Sequence, residues 1–252
     1  MDRMIHTALN TIKNMHDIRM STAQNLSSVD IPGFRKDLPN DGGAAFVQSM
    51  ERASARAFNL EVGKVGFSTE QGALKELGVQ TDIAIVSDGY FFVKPPYGDV
   101  ALSRRGDLSL DAQGQLVNGA GEIMLNQDLE PFVLPAFSEF QMSNIGEISI
   151  SPLNGPPGQF QPVGVLATTS ALGEKLTKGP DGQIRRPDGS VPAADQSVSV
   201  VQGMLEASNV DTVEELVLSL EAQRQFEMGV KFIKMAEDID RGGAELMRLP
   251  QS

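Results

Sequence analysis

The sequence predicts an α+β protein in which N- and C-terminal α-helices pack together as a helical, coiled-coil core domain, with an antiparallel β-rich domain inserted between them. Three observations predict this class. Apolar residues recur every three or four positions near both ends of the chain. Short β-branched and aromatic runs, separated by turns rich in Gly, Pro and Asp, fill the middle. At 252 residues the chain is long enough for two folding units.

The first element, residues 1–34, is predicted to be the N-terminal helix of this core. Its apolar positions lie on one side of a helix and are expected to pack against other helices: Ile5, Leu9, Ile12, Met15 and Leu26. Pro32 and Gly33 should end it, because proline disfavours helical backbone before it and glycine accepts the positive φ of a type II turn. Phe34 is either an anchor for the chain leaving the helix or an ordinary buried aromatic beside a turn.

Residues 35–66 are predicted to be a linker, with a possible short helix over 44–57. Residues 67–200 form the β-rich outer domain. Its predicted strands are Asp82–Val86, Tyr90–Val93, Leu108–Leu110, Gln115–Val117, Glu122–Leu125, Ile145–Ile150 and Val163–Ala167. Asp111 to Gly114, flanked by strands, predicts a hairpin.

The last element, residues 201–252, is predicted to contain the C-terminal helix of the core. Asn209 or Asp211 can cap it, and the helix is expected to end before Gly242-Gly243. Apolar positions repeat at helical spacing, and polar groups among them would fix register and partner. The positions expected to contact other helices here are Leu216, Leu220, Gln223, Arg224, Phe226, Val230 and Ile233.

Composition excludes several functional classes. A formal net charge of −12 argues against nucleic-acid binding and against anionic membrane surfaces. The chain has no cysteine, which excludes disulfide scaffolds, thiolate catalysis and cysteine-based zinc sites. No apolar run approaches the roughly 20 residues of a spanning helix, so direct membrane insertion is not expected. The N-terminus lacks the pattern of a cleaved signal peptide, which favours a cytoplasmic protein or export by another route.

No catalytic, cofactor-binding or metal-binding constellation is visible. His6 and His16 lie ten residues apart, which is about 15 Å along a helix and too far for one ion. Asp111 to Glu122 has the length of a calcium-binding loop, but Leu116 stands where the sharp turn needs glycine. We therefore expect no enzyme activity, no cofactor and no metal.

Several blocks resemble the bacterial flagellar axial family of basal-body rod and hook proteins. They run in order over nearly the whole chain: Ala23–Arg35 (AQNLSSVDIPGFR), Thr69–Leu74 (TEQGAL), Thr81–Ile85 (TDIAI), Asp88–Val93 (DGYFFV), Ser103–Leu108 (SRRGDL), Gly114–Val117 (GQLV), Gly203–Val210 (GMLEASNV) and Ala222–Glu227 (AQRQFE). Within the family, residues 1–8 look most like the start of the proximal-rod member.

The resemblance implies a non-enzymatic structural subunit of the proximal rod. Such a subunit would polymerise through its terminal helices, forming the drive shaft that transmits torque and encloses the export channel. Its implied partners are other rod proteins, copies of itself, the basal-body ring and the flagellar type III export apparatus, which would export it without a cleaved signal. The alternatives are a distal-rod or hook-type axial protein, a periplasmic peptidoglycan hydrolase using carboxylates, and a monomeric binding module.

Overall fold

The computed structural model of the protein describes residues 2–38, 66–153, 156, 158–179 and 181–246. The chain divides into two compact units. The helical unit contains the two long helices, and the β unit contains residues 28–36 together with 67–210. The linker helix predicted over 44–57 lies outside the described residues.

Two long helices belong to the helical unit. Helix α1 covers Asp2–Ser27 and helix α2 covers Thr212–Leu246. Asp211 caps α2, since its Oδ1 accepts hydrogen bonds from the backbone N–H groups of Val213 at 2.8 Å and Glu214 at 3.1 Å. The expectation that this helix ends before Gly242-Gly243 is wrong, because α2 continues through both glycines.

Short strands follow one another along the described chain, and those between residues 74 and 206 all belong to the β unit. The strands are β1 (Asp37–Leu38), β2 (Gly66–Phe67), β3 (Leu74–Glu76), β4 (Ile83–Ile85), β5 (Tyr90–Lys94), β6 (Ala101–Ser103), β7 (Leu108–Leu110), β8 (Leu116–Asn118), β9 (Ile123–Met124), β10 (Phe137–Met142), β11 (Glu147–Pro152), β12 (Gln161–Val165), β13 (Thr168–Thr169), β14 (Thr177–Lys178), β15 (Ile184–Arg185), β16 (Val200–Gln202) and β17 (Met204–Glu206). The largest sheet has the order β14-β15-β6-β5-β9-β8-β7, and β13 also pairs with β5. A three-stranded sheet has the order β10-β11-β12, while β16 pairs with β4 and β17 with β3.

The β unit has two hydrophobic clusters, and β5 contributes to both. Phe91 and Val93 belong to the larger cluster, whereas Tyr90 and Phe92 belong to the smaller one. This alternation follows from the period of two along a strand, which sends successive side chains to opposite faces. Strand β5 is therefore buried on both faces and lies at the centre of the unit.

The structure contradicts the predicted fold class. The protein is mostly β, and both hydrophobic clusters are built from the β unit. Among the helix side chains that the structure describes, only Met15 and Ala222 are buried hydrophobics. No helical coiled-coil core is therefore present in the described residues. The physical reason is that most apolar side chains of α2 face outward, so that the strands supply the core.

Candidate assembly interface

The segment that follows α1, residues 28–36, belongs to the β unit and is called the exit segment below. Gly33 has φ +68°, and the backbone N–H of Phe34 donates to the carbonyl of Ile31 at 3.3 Å. These features confirm the predicted turn. Gly33 N–H donates to the backbone carbonyl of Glu206 at 2.8 Å. A Cβ at this position would lie 2.5 Å from the carbonyl carbon and oxygen of Arg104, so only glycine fits.

A buried ion network lies behind this turn. The Glu206 carboxylate accepts from Arg104 Nε through Oε2 at 2.5 Å, and Arg35 Nη2 lies 3.1 Å from Oε1. The same Oε1 accepts from the backbone N–H of Gly72 at 2.9 Å. All three charged side chains are at most 3 % exposed. Two guanidinium groups therefore share a single buried carboxylate.

Arg104 uses its remaining donors to hold the chain between β4 and β5. Its Nη1 donates to the carbonyls of Ser87 at 3.0 Å and Gly89 at 2.8 Å, and its Nη2 donates to that of Ile85 at 3.0 Å. All three nitrogen atoms of the Arg104 guanidinium thus have a hydrogen-bond partner. The backbone bend before the central strand is therefore held by the Arg104 side chain, in addition to the pairing of Ile85 with Val200.

Arg35 is not fully satisfied. Within the described part of the chain, its Nε and Nη1 atoms are buried and have no hydrogen-bond partner. Burial lowers the pKa of Arg35 from its ordinary value, and the positive charge of Arg104 lowers it further. The guanidinium still remains charged at neutral pH. The network therefore contains two buried hydrogen-bond donors, Nε and Nη1 of Arg35, without an acceptor among the described residues.

Phe34 contacts a buried cation on the β unit. The Nζ atom of Lys178 lies 3.8 Å from the centre of the Phe34 ring and donates to the carbonyl of Arg35 at 3.1 Å. A cation at this distance is attracted by the ring face. The half-buried Phe34 is held by this contact and by the adjacent turn.

In the helical unit, the buried Asn25 near the end of α1 binds the backbone of Asp37, and this contact is called the Asn25 clamp below. Asn25 Oδ1 accepts from the N–H of Asp37 at 2.7 Å, and its Nδ2 donates to the Asp37 carbonyl at 2.9 Å. Nδ2 also lies 3.3 Å from Oε1 of Glu215, which is buried on α2. Sequence reasoning assigned no role to this clamp, because nothing local marks Asn25 as buried.

The expected interface positions are divided between the two units. Pro32, Gly33 and Phe34 lie in the β unit. On α1, Met15 is buried and Leu26 is half-buried, while Ile5, Leu9 and Ile12 lie in a stretch whose side chains are outside the description. On α2, the half-buried positions are Phe226, Val230 and Ile233, and the exposed ones are Leu216, Leu220, Gln223 and Arg224.

The two helices contact each other through part of this set. Arg19 of α1 lies over the Phe226 ring, with its guanidinium carbon 5.8 Å from the ring centre. Leu220, in contrast, is 62 % exposed. Sequence reasoning missed further exposed apolar positions on these helices, which are Met20, Val213, Val217, Leu218, Met228, Met235 and Ile239. The spacing signal was present, but it identifies apolar positions without saying which partner covers them.

Two further observations limit the chemistry of the described residues. Within those ranges, no group of three or more His, Asp or Glu side chains is arranged to hold a metal ion. No helix in the described part of the chain combines the length and apolar character needed to cross a membrane.

Comparison with known proteins places these features in a family. Residues 201–246 match the family described as "Flagellar basal body rod FlgEFG protein C-terminal", and residues 84–152 match "Flagellar hook protein FlgE/F/G D1 domain". The chain is 27 % identical to the flagellar basal-body rod protein FlgF of Salmonella typhimurium, over 99 % of this chain and 100 % of that protein. It is 27 % identical to FlgF of Escherichia coli, over 94 % and 95 %. Identity to FlgG of Buchnera aphidicola (subspecies Baizongia pistaciae) is 30 %, over 86 % and 89 %.

The chain therefore belongs to the family of flagellar basal-body rod proteins. It is a structural subunit of the rod and, within the family, is most like FlgF. Both family matches coincide with features described above. The first contains β17, with Glu206, and α2, and the second contains the central strand β5 and Arg104.

Proposed function

We propose that this subunit polymerises with copies of itself and with other rod proteins through the exposed apolar faces of its helices. One observation carries the proposal. Helix α2 presents large apolar side chains to solvent along most of its length, among them Val213, Leu216, Leu220, Met228, Met235 and Ile239. Full burial of a fully exposed side chain of this kind is worth roughly 1.5–3 kcal/mol, and the named side chains are between 48 % and 70 % exposed. Exposed apolar side chains grouped on one side of a helix mark interaction sites.

The same proposal includes the position of the subunit. The FlgF resemblance over the whole chain favours the proximal rod, where the subunit would transmit torque and help enclose the export channel. Its partners would be neighbouring rod proteins, the basal-body ring and the type III export apparatus. It would lie in the periplasm-spanning rod after export by that apparatus, and it would act without enzymatic turnover.

The test is complementation of a strain that lacks the gene. Leu220→Asp places a charge in the exposed face of α2, and Gln225→Asp places the same charge on another side of the same helix. Because Leu220 is 62 % exposed in the single chain, the purified Leu220→Asp protein should unfold like the wild type. We expect export of both variants, but rods and swimming only with Gln225→Asp. Restoration of rods by Leu220→Asp would contradict packing between subunits at this face.

A further inference from the structure

Asn209 connects the exit segment to the chain that leads into α2. Its side-chain Oδ1 accepts from the backbone N–H of Lys36 at 2.6 Å, and its own backbone N–H donates to the carbonyl of Phe34 at 3.3 Å. The exit segment begins directly after α1, and Asn209 lies two residues before Asp211, the residue that caps α2. One half-buried asparagine of the β unit therefore binds the segment that follows the first helix and itself precedes the second.

The side-chain amide of Asn209 also binds a third segment of the β unit. Its Nδ2 donates to the carbonyl of Glu70 at 2.8 Å, while the N–H of Ser68 donates to the carbonyl of Lys36 at 2.8 Å. Because an amide carries both an acceptor and donors, it can bind a backbone N–H and a backbone carbonyl at once. An ionised aspartate could only accept, and an alanine could do neither. Residue 209 therefore joins the three segments because it is an amide.

Two asparagines hold consecutive residues where the exit segment ends. Asn209 holds Lys36 in the β unit, and the Asn25 clamp holds both the N–H and the carbonyl of Asp37 in the helical unit. The chain therefore passes from one anchored residue to the next without a free residue in between. Loss of the Asn209 contact would give Lys36 and the end of the exit segment a backbone freedom that the wild type does not have.

We propose that Asn209 is a positioning residue for rod assembly and acts through its hydrogen bond to Lys36. The inference rests on the proposed assembly through the helices. Subunits of a regular polymer must all present the same geometry to their neighbours, so any backbone freedom in the exit segment has to be lost on assembly, at a cost in conformational entropy. The Asn209 contact removes that freedom before subunits meet, and it thereby favours assembly.

Hydrogen exchange of the purified full-length subunit tests the contact itself. Asn209→Ala removes both side-chain hydrogen bonds, and we expect the Lys36 amide to exchange about fivefold faster. Asn126→Ala is the matched control, because Asn126 is also half-buried and its side chain also makes two hydrogen bonds, which it accepts from the N–H groups of Asp128 and Glu130. Exchange at Lys36 should be unchanged in the control. Unchanged exchange at Lys36 in Asn209→Ala would overturn the contact.

Assembly of the same variants in the strain that lacks the gene tests the positioning role. We expect Asn209→Ala to reduce the yield of rods about fivefold or more and Asn126→Ala to leave it unchanged, although both variants lose two hydrogen bonds and should unfold at similar urea concentrations. Normal rods with Asn209→Ala, together with fast exchange at Lys36, would overturn the role.

Asn209→Asp is the conservative variant, and it decides the question if Asn209→Ala fails to fold. Its carboxylate still accepts from the Lys36 N–H but cannot donate to the Glu70 carbonyl. We expect slow exchange at Lys36 and a normal yield of rods, whereas loss of rods with slow exchange would overturn the role of the Lys36 contact. Leu220→Asp separates this inference from the proposed function, because it should lose rods while the Lys36 amide exchanges as in the wild type.

Discussion

The close approach of Gly33 to the backbone of Arg104 predicts that Gly33→Ala lowers the stability of the protein substantially. A left-handed backbone costs an alanine about 1–2 kcal/mol. Beyond this, the added Cβ would lie 2.5 Å from the Arg104 carbonyl group and 2.7 Å from the N atom of Arg105. These are backbone atoms that no side-chain rotation can move away, so the turn itself must shift. The shift would weaken the hydrogen bonds from Gly33 to Glu206 and from Phe34 to Ile31.

The magnitude follows from these contributions. Each weakened hydrogen bond is worth about 0.5–1.5 kcal/mol, so Gly33→Ala should lower the free energy of unfolding by about 2–5 kcal/mol in total. Gly78→Ala is the matched control, since Gly78 has φ +71° and no atom within 4 Å of the added Cβ. It should therefore cost only about 1–2 kcal/mol. Urea unfolding followed by circular dichroism measures both. Equal losses in the two variants would refute the close-packing argument.

Three further variants test the buried polar groups. Glu206→Gln should lower the free energy of unfolding by about 3–5 kcal/mol, because it leaves two buried guanidinium groups without their carboxylate. Glu174→Gln removes a more exposed ion pair and should change the free energy of unfolding little in the same urea titration. Asn25→Ala should cost about 1–3 kcal/mol locally and speed hydrogen exchange at the end of α1, and unchanged exchange there would contradict the clamp. Burial raises the pKa of Asp82, and the nearby Asp107 carboxylate raises it further. The folded state therefore favours the protonated carboxyl, and the stability that this preference contributes is lost as the pH rises. Asp82→Asn should therefore stabilise the protein at neutral pH and lose that advantage near about pH 3, as unfolding measured at both pH values would show.

The strands were the part of the fold that could be predicted best. Strand β7 matches its predicted bounds, and the hairpin at Asp111–Gly114 is confirmed by the antiparallel pairing of β7 with β8. The reason is local. Asp111 Oδ1 accepts the N–H groups of Gln113 and Gln115, and Gly114 has φ +78°. Turn chemistry of this kind is encoded within a few residues and can be recognised from the sequence alone.

The helical coiled-coil core has no comparable local signal, and its prediction was wrong. An apolar stripe at helical spacing shows that a helix has a hydrophobic face, but it does not show whether the same chain buries that face. Phe226 and Leu220 both belong to the apolar pattern predicted for α2, yet Phe226 is half-buried and Leu220 is 62 % exposed. The difference depends on tertiary contacts that periodicity does not contain.

The ion network was missed for a different reason. Arg104 and Glu206 are separated by 102 residues, and no local pattern connects them. Charged residues within otherwise apolar strand segments were the available signal. Such residues usually lie at the surface in contact with water. The burial of Arg35, Arg104 and Glu206 is therefore evident only from the folded structure, in which β17 lies beside the exit segment.

The most direct test of assembly through α2 is site-specific photo-crosslinking in intact basal bodies. A benzophenone amino acid at position 220 would lie on the exposed apolar face, and the same group at position 225 would lie on another side of the helix. We predict abundant adducts with neighbouring rod subunits from position 220 and few from position 225. Adducts from position 220 that are no more abundant than those from position 225, or that form only within one chain, would contradict the account.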